Sequence, residues 1–133
     1  MKNEKRNRSP KIFFSAVYWN FGNGNWYFFS RHTKTFYQAV NACRKRGGKL
    51  AEPKDDRTRK ILIEHDFAKN WPWIGIKEVG SSWKWVSDGS TVAKMDWSSQ
   101  SPKNDKYNCI MIHHRHGYFA YNCNDRYRYI CEF

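Results

Sequence analysis

The sequence predicts an α+β domain, with two helices early in the chain packed on small antiparallel sheets and a long loop region in the second half. Three observations predict it. Apolar residues repeat at helical spacing only between about residues 35 and 67. Short aromatic and β-branched runs, separated by Gly, Asn and Ser clusters, fill the rest. Four cysteines, at 43, 109, 123 and 131, span the whole of it.

Each element has its own signal. Residues 1–11 carry Lys2, Lys5, Arg6, Arg8 and Lys11 against Glu4. They read as a flexible basic arm, with the domain proper running over 12–133. Ile12-Phe13-Phe14 and Val17-Tyr18-Trp19 read as a first strand, and Phe21 to Asn25 as a turn. Trp26-Tyr27-Phe28-Phe29 is a short aromatic strand. Thr35 and Gln38 have the spacing of a capping box. The helix they open runs to about Lys45, with Phe36, Ala39, Val40 and Cys43 on one face, and Gly47-Gly48 ends it. Leu50-Ala51 is a short buried strand. Asp55 or Asp56 starts a second helix reaching about Phe67, with Ile61, Leu62 and His65 on one face.

After Trp71-Pro72 the helical period disappears. Trp73, Ile74 and Ile76 form a core strand, and residues 77–108 read as mostly loop. A loop region of ~30 residues in a compact domain points to function. Ile110 to Ile112 and Tyr118 to Tyr121 make a hairpin around His114-Arg115-His116-Gly117. Tyr127, Tyr129 and Ile130 alternate along a closing strand.

The chain has 133 residues, 18% of them aromatic, which excludes a disordered polymer. No apolar run reaches the ~18 residues of a membrane span. The first ten residues, MKNEKRNRSP, lack the apolar stretch of a secretory signal. The even cysteine count nevertheless points to two disulfides and a secreted, oxidised setting. Spacing alone leaves three pairings open. Lys and Arg number 24 and Asp and Glu 12, a net charge of 24 − 12 = +12. Such a surface attracts polyanions.

One combination carries more. Trp73-Ile74-Gly75-Ile76 is followed by Trp83-Lys84-Trp85-Val86-Ser87-Asp88-Gly89 and Trp97, and the chain closes on Cys131-Glu132-Phe133. Over roughly Trp26 to Phe133 this resembles the C-type lectin-like domain, in its short form with two disulfides. The resemblance implies that fold, and the pairings Cys43–Cys131 and Cys109–Cys123. It also implies that residues 77–108 contain the ligand-binding loop.

The same resemblance makes the usual sugar site testable position by position. Calcium-dependent members hold the ion with an acid-Pro-Asn or Gln-Pro-Asp triplet, an acid two residues before the cysteine that corresponds to Cys109, and a Trp-Asn-Asp triplet ending three residues before the one that corresponds to Cys123. Calcium requires six to eight hard oxygens, several of them anionic. Here the first triplet is Ser101-Pro102-Lys103, with Pro102 expected to be cis as in the family. The second position is Tyr107, and the last triplet is Tyr118-Phe119-Ala120. The loop between Pro102 and Cys109 is about two residues short. Asn124-Asp125 follows its cysteine instead of preceding it. No cofactor is expected, and no calcium at this site.

What remains is basic and aromatic. Lys103, Lys106, Tyr107, His114, Arg115, His116 and Tyr118, with His113, are expected to converge into one ligand-binding face. Arg and Lys donate to sulfate or carboxylate. The alternative is that the tyrosines plug an empty loop. The histidines would charge below pH ~6.5 and strengthen polyanion binding. As metal ligands they fail, since 113 and 114 point to opposite faces of a strand. Arg44, Lys45 and Arg46, with Arg57 and Lys60, form a second basic patch, or simply a solvated helix face.

No nucleophile elbow or phosphate loop is present, so an enzyme is not expected. The expected function is a secreted, calcium-independent binder of anionic glycans, sulfated or sialylated, or of another acidic macromolecule. The alternatives are a matrix or biomineral-associated protein and an immune-type protein-recognition domain, which an exposed patch at Trp83, Trp97 or Tyr107 would favour. A basic cytotoxic protein is a weaker alternative. Nucleic acid would bind only non-specifically, through charge.

Overall fold

The computed structural model describes residues 10–13, 16–22 and 24–133. Strands β1 (Pro10–Phe13), β2 (Ala16–Asn20) and β3 (Trp26–Phe29) lead into helix α1 (Phe36–Lys45), strand β4 (Lys49–Leu50) and helix α2 (Asp56–Glu64). A 3-10 turn, Asp66–Asn70, precedes β5 (Trp73–Val79) and β6 (Ser82–Trp85). After the long loop come β7 (Cys109–His113), β8 (Gly117–Tyr121) and β9 (Ile130–Glu132). One sheet has the order β1-β2-β3-β9-β4 and the other β6-β5-β7-β8. Every strand pair is antiparallel.

The expected first strand is a hairpin of two, and β1 takes in Pro10 and Lys11 from the expected basic arm. Lys2, Lys5, Arg6, Arg8 and Phe14 lie outside the described residues.

Helix α1 forms where its caps dictate. The Gln38 amide N–H donates to Thr35 Oγ1 at 3.3 Å, and Gln38 Oε1 accepts from the Thr35 N–H at 3.1 Å. Phe36, Ala39, Val40 and Cys43 are its buried face. At its end Gly48 N–H reaches Cys43 O and Gly47 N–H reaches Arg44 O, both at 3.0 Å. That double closure needs Gly47 at φ 88°, a left-handed conformation with no steric penalty for glycine.

Helix α2 opens on Asp55, whose Oδ1 accepts the Thr58 N–H at 2.8 Å. It buries Thr58, Arg59, Leu62 and Ile63; of the expected face Leu62 is in the core, while Ile61 and His65 are only half-buried. The helix stops at Glu64. His65 is extended, and its Nδ1 caps the 3-10 turn by accepting the Phe67 N–H at 3.1 Å.

The glycine of Trp73-Ile74-Gly75-Ile76 has a packing reason. A Cβ there would meet Glu52 Cγ at 2.8 Å and Leu50 O at 3.0 Å. The bare backbone instead donates from Gly75 N to Ala51 O at 2.8 Å, joining β5 to the segment after β4. Trp73 is fully buried and donates its indole N–H to Lys34 O at 3.1 Å.

Residues 77–108 are less of a loop than expected. β5 continues to Val79, turns at Gly80 and returns as β6, so the irregular segment starts after Trp85. The alternation of Trp83 and Trp85 with Ser82 and Lys84 is a strand signal. Both disulfides pair as the resemblance implied. Cys43–Cys131 ties α1 to β9, and Cys109–Cys123 ties the start of β7 to the segment after β8.

Candidate ligand-binding site

The long loop is held in place before it offers anything to a ligand. Segment 96–101 runs alongside β8. Tyr118 N–H donates to Asp96 O at 2.6 Å and Ser98 N–H to Tyr118 O at 2.8 Å. Ala120 N–H then donates to Ser101 Oγ at 2.9 Å. Gly117 lies so close to the Asp96 carbonyl that a Cβ would overlap it, and its φ of 121° also favours glycine. A second anchor is ionic. Arg59, 5% exposed, pairs with Asp56 on its own helix and with Asp96 Oδ2 at 3.3 Å, fastening the loop to α2.

Between this loop and the β5–β6 hairpin lies a cleft of ≈ 680 Å³. One wall is a pair of indoles, Trp83 and Trp97, edge to face at 5.2 Å and 75°. Trp97 is 41% exposed. Pro102, Lys103, Asp105, Tyr107, Glu78 and Ala120 also line the cleft, Glu78 lying beside Trp83 across the β5–β6 pair. The Tyr107 ring leans on Tyr121 at 5.0 Å. The Asn108 side-chain amide, oriented by its partners, donates to Glu78 Oε1 at 3.1 Å and to Asp105 O at 3.0 Å. Lys103 is exposed.

The positions where relatives would hold calcium converge here. Ser101, Lys103, Tyr107 and Ala120 all line the cleft. Between them they supply no carboxylate, and the Ser101 hydroxyl oxygen already accepts from Ala120 N–H. Two carboxylates, Glu78 and Asp105, also line the cleft, but Glu78 Oε1 already accepts from the Asn108 amide, so the donor set falls short of the several anionic oxygens the ion requires. Among the described residues no three His, Cys, Asp or Glu side chains are grouped to hold a metal. Pro102 is trans, not cis as expected, in line with the ordinary preference of an X–Pro bond. One shared proline does not bring the family's backbone with it.

The expected single face is divided. Tyr118 is 1% exposed and belongs to the core, so it does not present its ring to a ligand. It sits on β8 with its side chain turned inward, and burial pushes its phenol above the usual range. His114, Arg115 and His116 form the tip of the β7–β8 hairpin, while Tyr107 adjoins the opposite end, where Cys109 faces Tyr121. The tip docks on α2 instead. Arg115 N–H donates to Ile63 O at 3.0 Å, and His114 Nε2 lies 3.3 Å from Glu64 O. Lys103 and Tyr107 remain at the cleft. Lys106, also exposed, follows in the same turn, its N–H on Asn104 Oδ1 at 2.9 Å.

At the hairpin's tip end, His113 stacks on Trp71 at 4.4 Å and lies 4.3 Å from the His116 ring. Its Nδ1 is 2.9 Å from Ser98 Oγ. Burial pushes the imidazole below its ordinary value, and the charges of His116 and His114 act in the same direction.

The second basic patch also divides. Lys45 and Arg46 face a groove beside α1, whereas Arg44 faces Lys49 and Glu52. Arg57 donates to Phe21 O at 3.2 Å, and Lys60 lies by Glu64 and Asp66. The sequence reading did not select Glu78, Ser98 or Asp105 for the cleft. It weighed Trp83 and Trp97 only as an exposed patch. Their alternation around Lys84 and their nearness to the Ser101-Pro102-Lys103 triplet were the available signals.

Comparison with known proteins places this geometry. Residues 32–133 match the lectin C-type domain. Lectoxin-Phi2, a C-type lectin of Philodryas olfersii, is 31% identical over 113 residues, 75% of this chain and 71% of that one. C-type lectin domain family 4 member F of Mus musculus is 26% identical over 98% of this chain, which spans only 25% of that relative's length. The carbohydrate-recognition domain of the mouse scavenger receptor C-type lectin superposes with a TM-score of 0.75, at 24% identity, covering 87% of this chain and 92% of that one. The carbohydrate-recognition domain of cow CD23, solved in the presence of a GlcNAc2Man3 oligosaccharide, gives 0.72 at 19% identity, covering 94% and 97%. Family match, disulfide pairing and architecture agree, and the chain belongs to the C-type lectin domain family.

Proposed function

We propose that this domain is an extracellular, calcium-independent lectin that binds anionic sugars in the cleft beside its long loop. The observation that carries the reading is the replacement of the calcium ligands by an aromatic and cationic surface. Lys103 stands at the position of the family's amide and shares the cleft with the Trp83–Trp97 pair. A sugar ring presents an apolar face to the exposed Trp97 indole. Its sulfate or carboxylate then reaches Lys103, with Lys106 nearby, and its hydroxyls meet Ser99 and Asn104. Glu78 and Asp105 share the cleft, so a densely anionic chain fits it less well than a ring with one charged substituent. Disulfide bonding supports the extracellular setting. No helix among the described residues is long and apolar enough to cross a membrane.

The test is a glycan-array screen with calcium and with chelator, at physiological and raised salt. The expected result is binding to sialylated or monosulfated sugars that ignores chelator and weakens in salt. Chelator-sensitive binding would overturn the reading. Protein recognition is the second reading, favoured by the exposure of Trp97 at 41%. Half-buried Trp83 and Tyr107 make the surface concave, which favours the sugar.

A further inference from the structure

A second concave surface lies beside α1, away from the long loop, with a volume of ≈ 650 Å³. One wall is the polar face of α1. Gln38, Asn41, Ala42 and Lys45 repeat at i, i+3, i+4 and i+7, opposite the buried Phe36, Ala39, Val40 and Cys43. The other wall is His32, Lys34 and Arg126, with Tyr129 at the base and Arg46 at the end of the helix. None of the residues lining the groove is Asp or Glu. Four cations, Lys34, Lys45, Arg46 and Arg126, therefore share it with no carboxylate among its lining residues.

Two of these cations are preset. The Arg46 guanidinium lies 3.7 Å over the Phe28 ring and donates to the Tyr18 hydroxyl at 3.2 Å. Arg126 donates to Gln38 Oε1 at 3.1 Å and to Thr33 O at 2.7 Å. A guanidinium has five N–H donors, so both keep donors to spare, in a planar fork that matches sulfate or carboxylate. Lys34 is set through its backbone, which pairs with Tyr127 at 2.9 and 3.0 Å. Side chains fixed in advance lose little freedom on binding. Like charges collected without counterions repel one another, and an anion relieves that.

We infer that this groove is a second binding site, specific for a sulfated polysaccharide chain and independent of the loop cleft. The chemistry chooses among polyanions. Single-stranded nucleic acid sites offer aromatic faces to the bases. Here Tyr129, the one Phe, Tyr or Trp of the groove, is 4% exposed, which leaves only the small ring of the exposed His32 to stack on a base. A chain of sulfates needs only spaced cations. The two disulfides favour the extracellular setting proposed above, where sulfated glycans are abundant polyanions.

The test is titration of the whole chain with size-defined heparin oligosaccharides over a salt series. Lys45→Glu/Arg126→Glu is compared with Lys60→Glu/Lys94→Glu, which makes the same change in net charge elsewhere. The groove variant should lose about tenfold or more in affinity, with a salt slope smaller by about two. The control should lose less than about threefold. Because Arg126 also contacts the start of α1, Lys45→Glu alone is the second variant; its side chain has no carboxylate partner among the described residues. It should lose several-fold while melting like the parent. Equal losses in groove and control variants would overturn the site as a general charge effect. Equal, groove-dependent affinity for a single-stranded oligonucleotide of matched charge would overturn the choice of sulfated polysaccharide. Sugar binding in the loop cleft should be unchanged in the groove variants, so this proposal and the cleft reading can fail separately.

Discussion

The loop cleft and the α1 groove have nearly equal volumes, ≈ 680 and ≈ 650 Å³, and opposite chemistry. The cleft sets one lysine among two carboxylates and a pair of indoles. The groove gathers four cations, and no acid lines it. A net charge of +12 is therefore not one property of this surface. On one face charge is balanced and shape selects; on the other it accumulates. Each face also has its own covalent anchor. Cys43–Cys131 holds the helix that walls the groove, and Cys109–Cys123 holds the strand beside the cleft.

The largest effect should come from the anchors. Cys43→Ser/Cys131→Ser opens a loop of sequence separation 88, against 14 for Cys109→Ser/Cys123→Ser. Losses of roughly 4.5 and 3 kcal/mol in urea unfolding are expected. A larger loss from the shorter loop would break the ranking of the two faces.

Next is Arg59→Met, which removes the ionic fastening of the loop to α2. A fully buried pair costs roughly 3–5 kcal/mol to break. Asp56 and Asp96 keep 75% and 41% side-chain exposure, so about 2 kcal/mol is expected. Cleft affinity should fall with it and heparin affinity should not, as paired titrations would show.

Trp97→Ala should cost about tenfold in sugar affinity, about 1.4 kcal/mol, and shift the melting free energy by less than about 0.5 kcal/mol. Unchanged sugar binding would remove the indole from the cleft's function.

The smallest effect is acidic. The half-buried imidazole of His113 takes up a proton less readily than an unfolded histidine near pH 6.5. The unfolded chain therefore binds more protons as pH falls through that value. Stability declines from about pH 6.5 downward and levels once the folded imidazole also protonates. The decline should stay below about 1 kcal/mol, and His113→Gln should flatten it. A stability that rises on acidification would contradict the lowered affinity of His113 for its proton. The groups expected to strengthen polyanion binding in acid are divided: His114 and Arg115 dock on α2 away from Lys103 and Tyr107, while His113 reaches the cleft lining through Ser98 Oγ at 2.9 Å.

What could be read from the sequence follows chain distance. The capping box of α1 and its glycine stop are local, and Thr35, Gln38, Gly47 and Gly48 declared them directly. The disulfides came from resemblance, since spacing alone left three pairings open. The candidate site was legible only in part. Lys103 and Tyr107 lie near one another in the chain and in space. His114 to Tyr118 are just as close in sequence, yet His114 and Arg115 dock on α2 while Tyr118 turns into the core. Conversely, residues 32, 34, 45, 46 and 126 meet in one groove across a separation no local pattern records.

The three contacts that seat segment 96–101 on β8 use backbone groups, with the Ser101 hydroxyl as the only side-chain participant. Trp97, Ser99 and Gln100 are exposed, and none of these contacts uses their side chains. The segment is thus a frame with interchangeable inserts. A library randomised at those three positions should fold as the parent does while sampling new sugars.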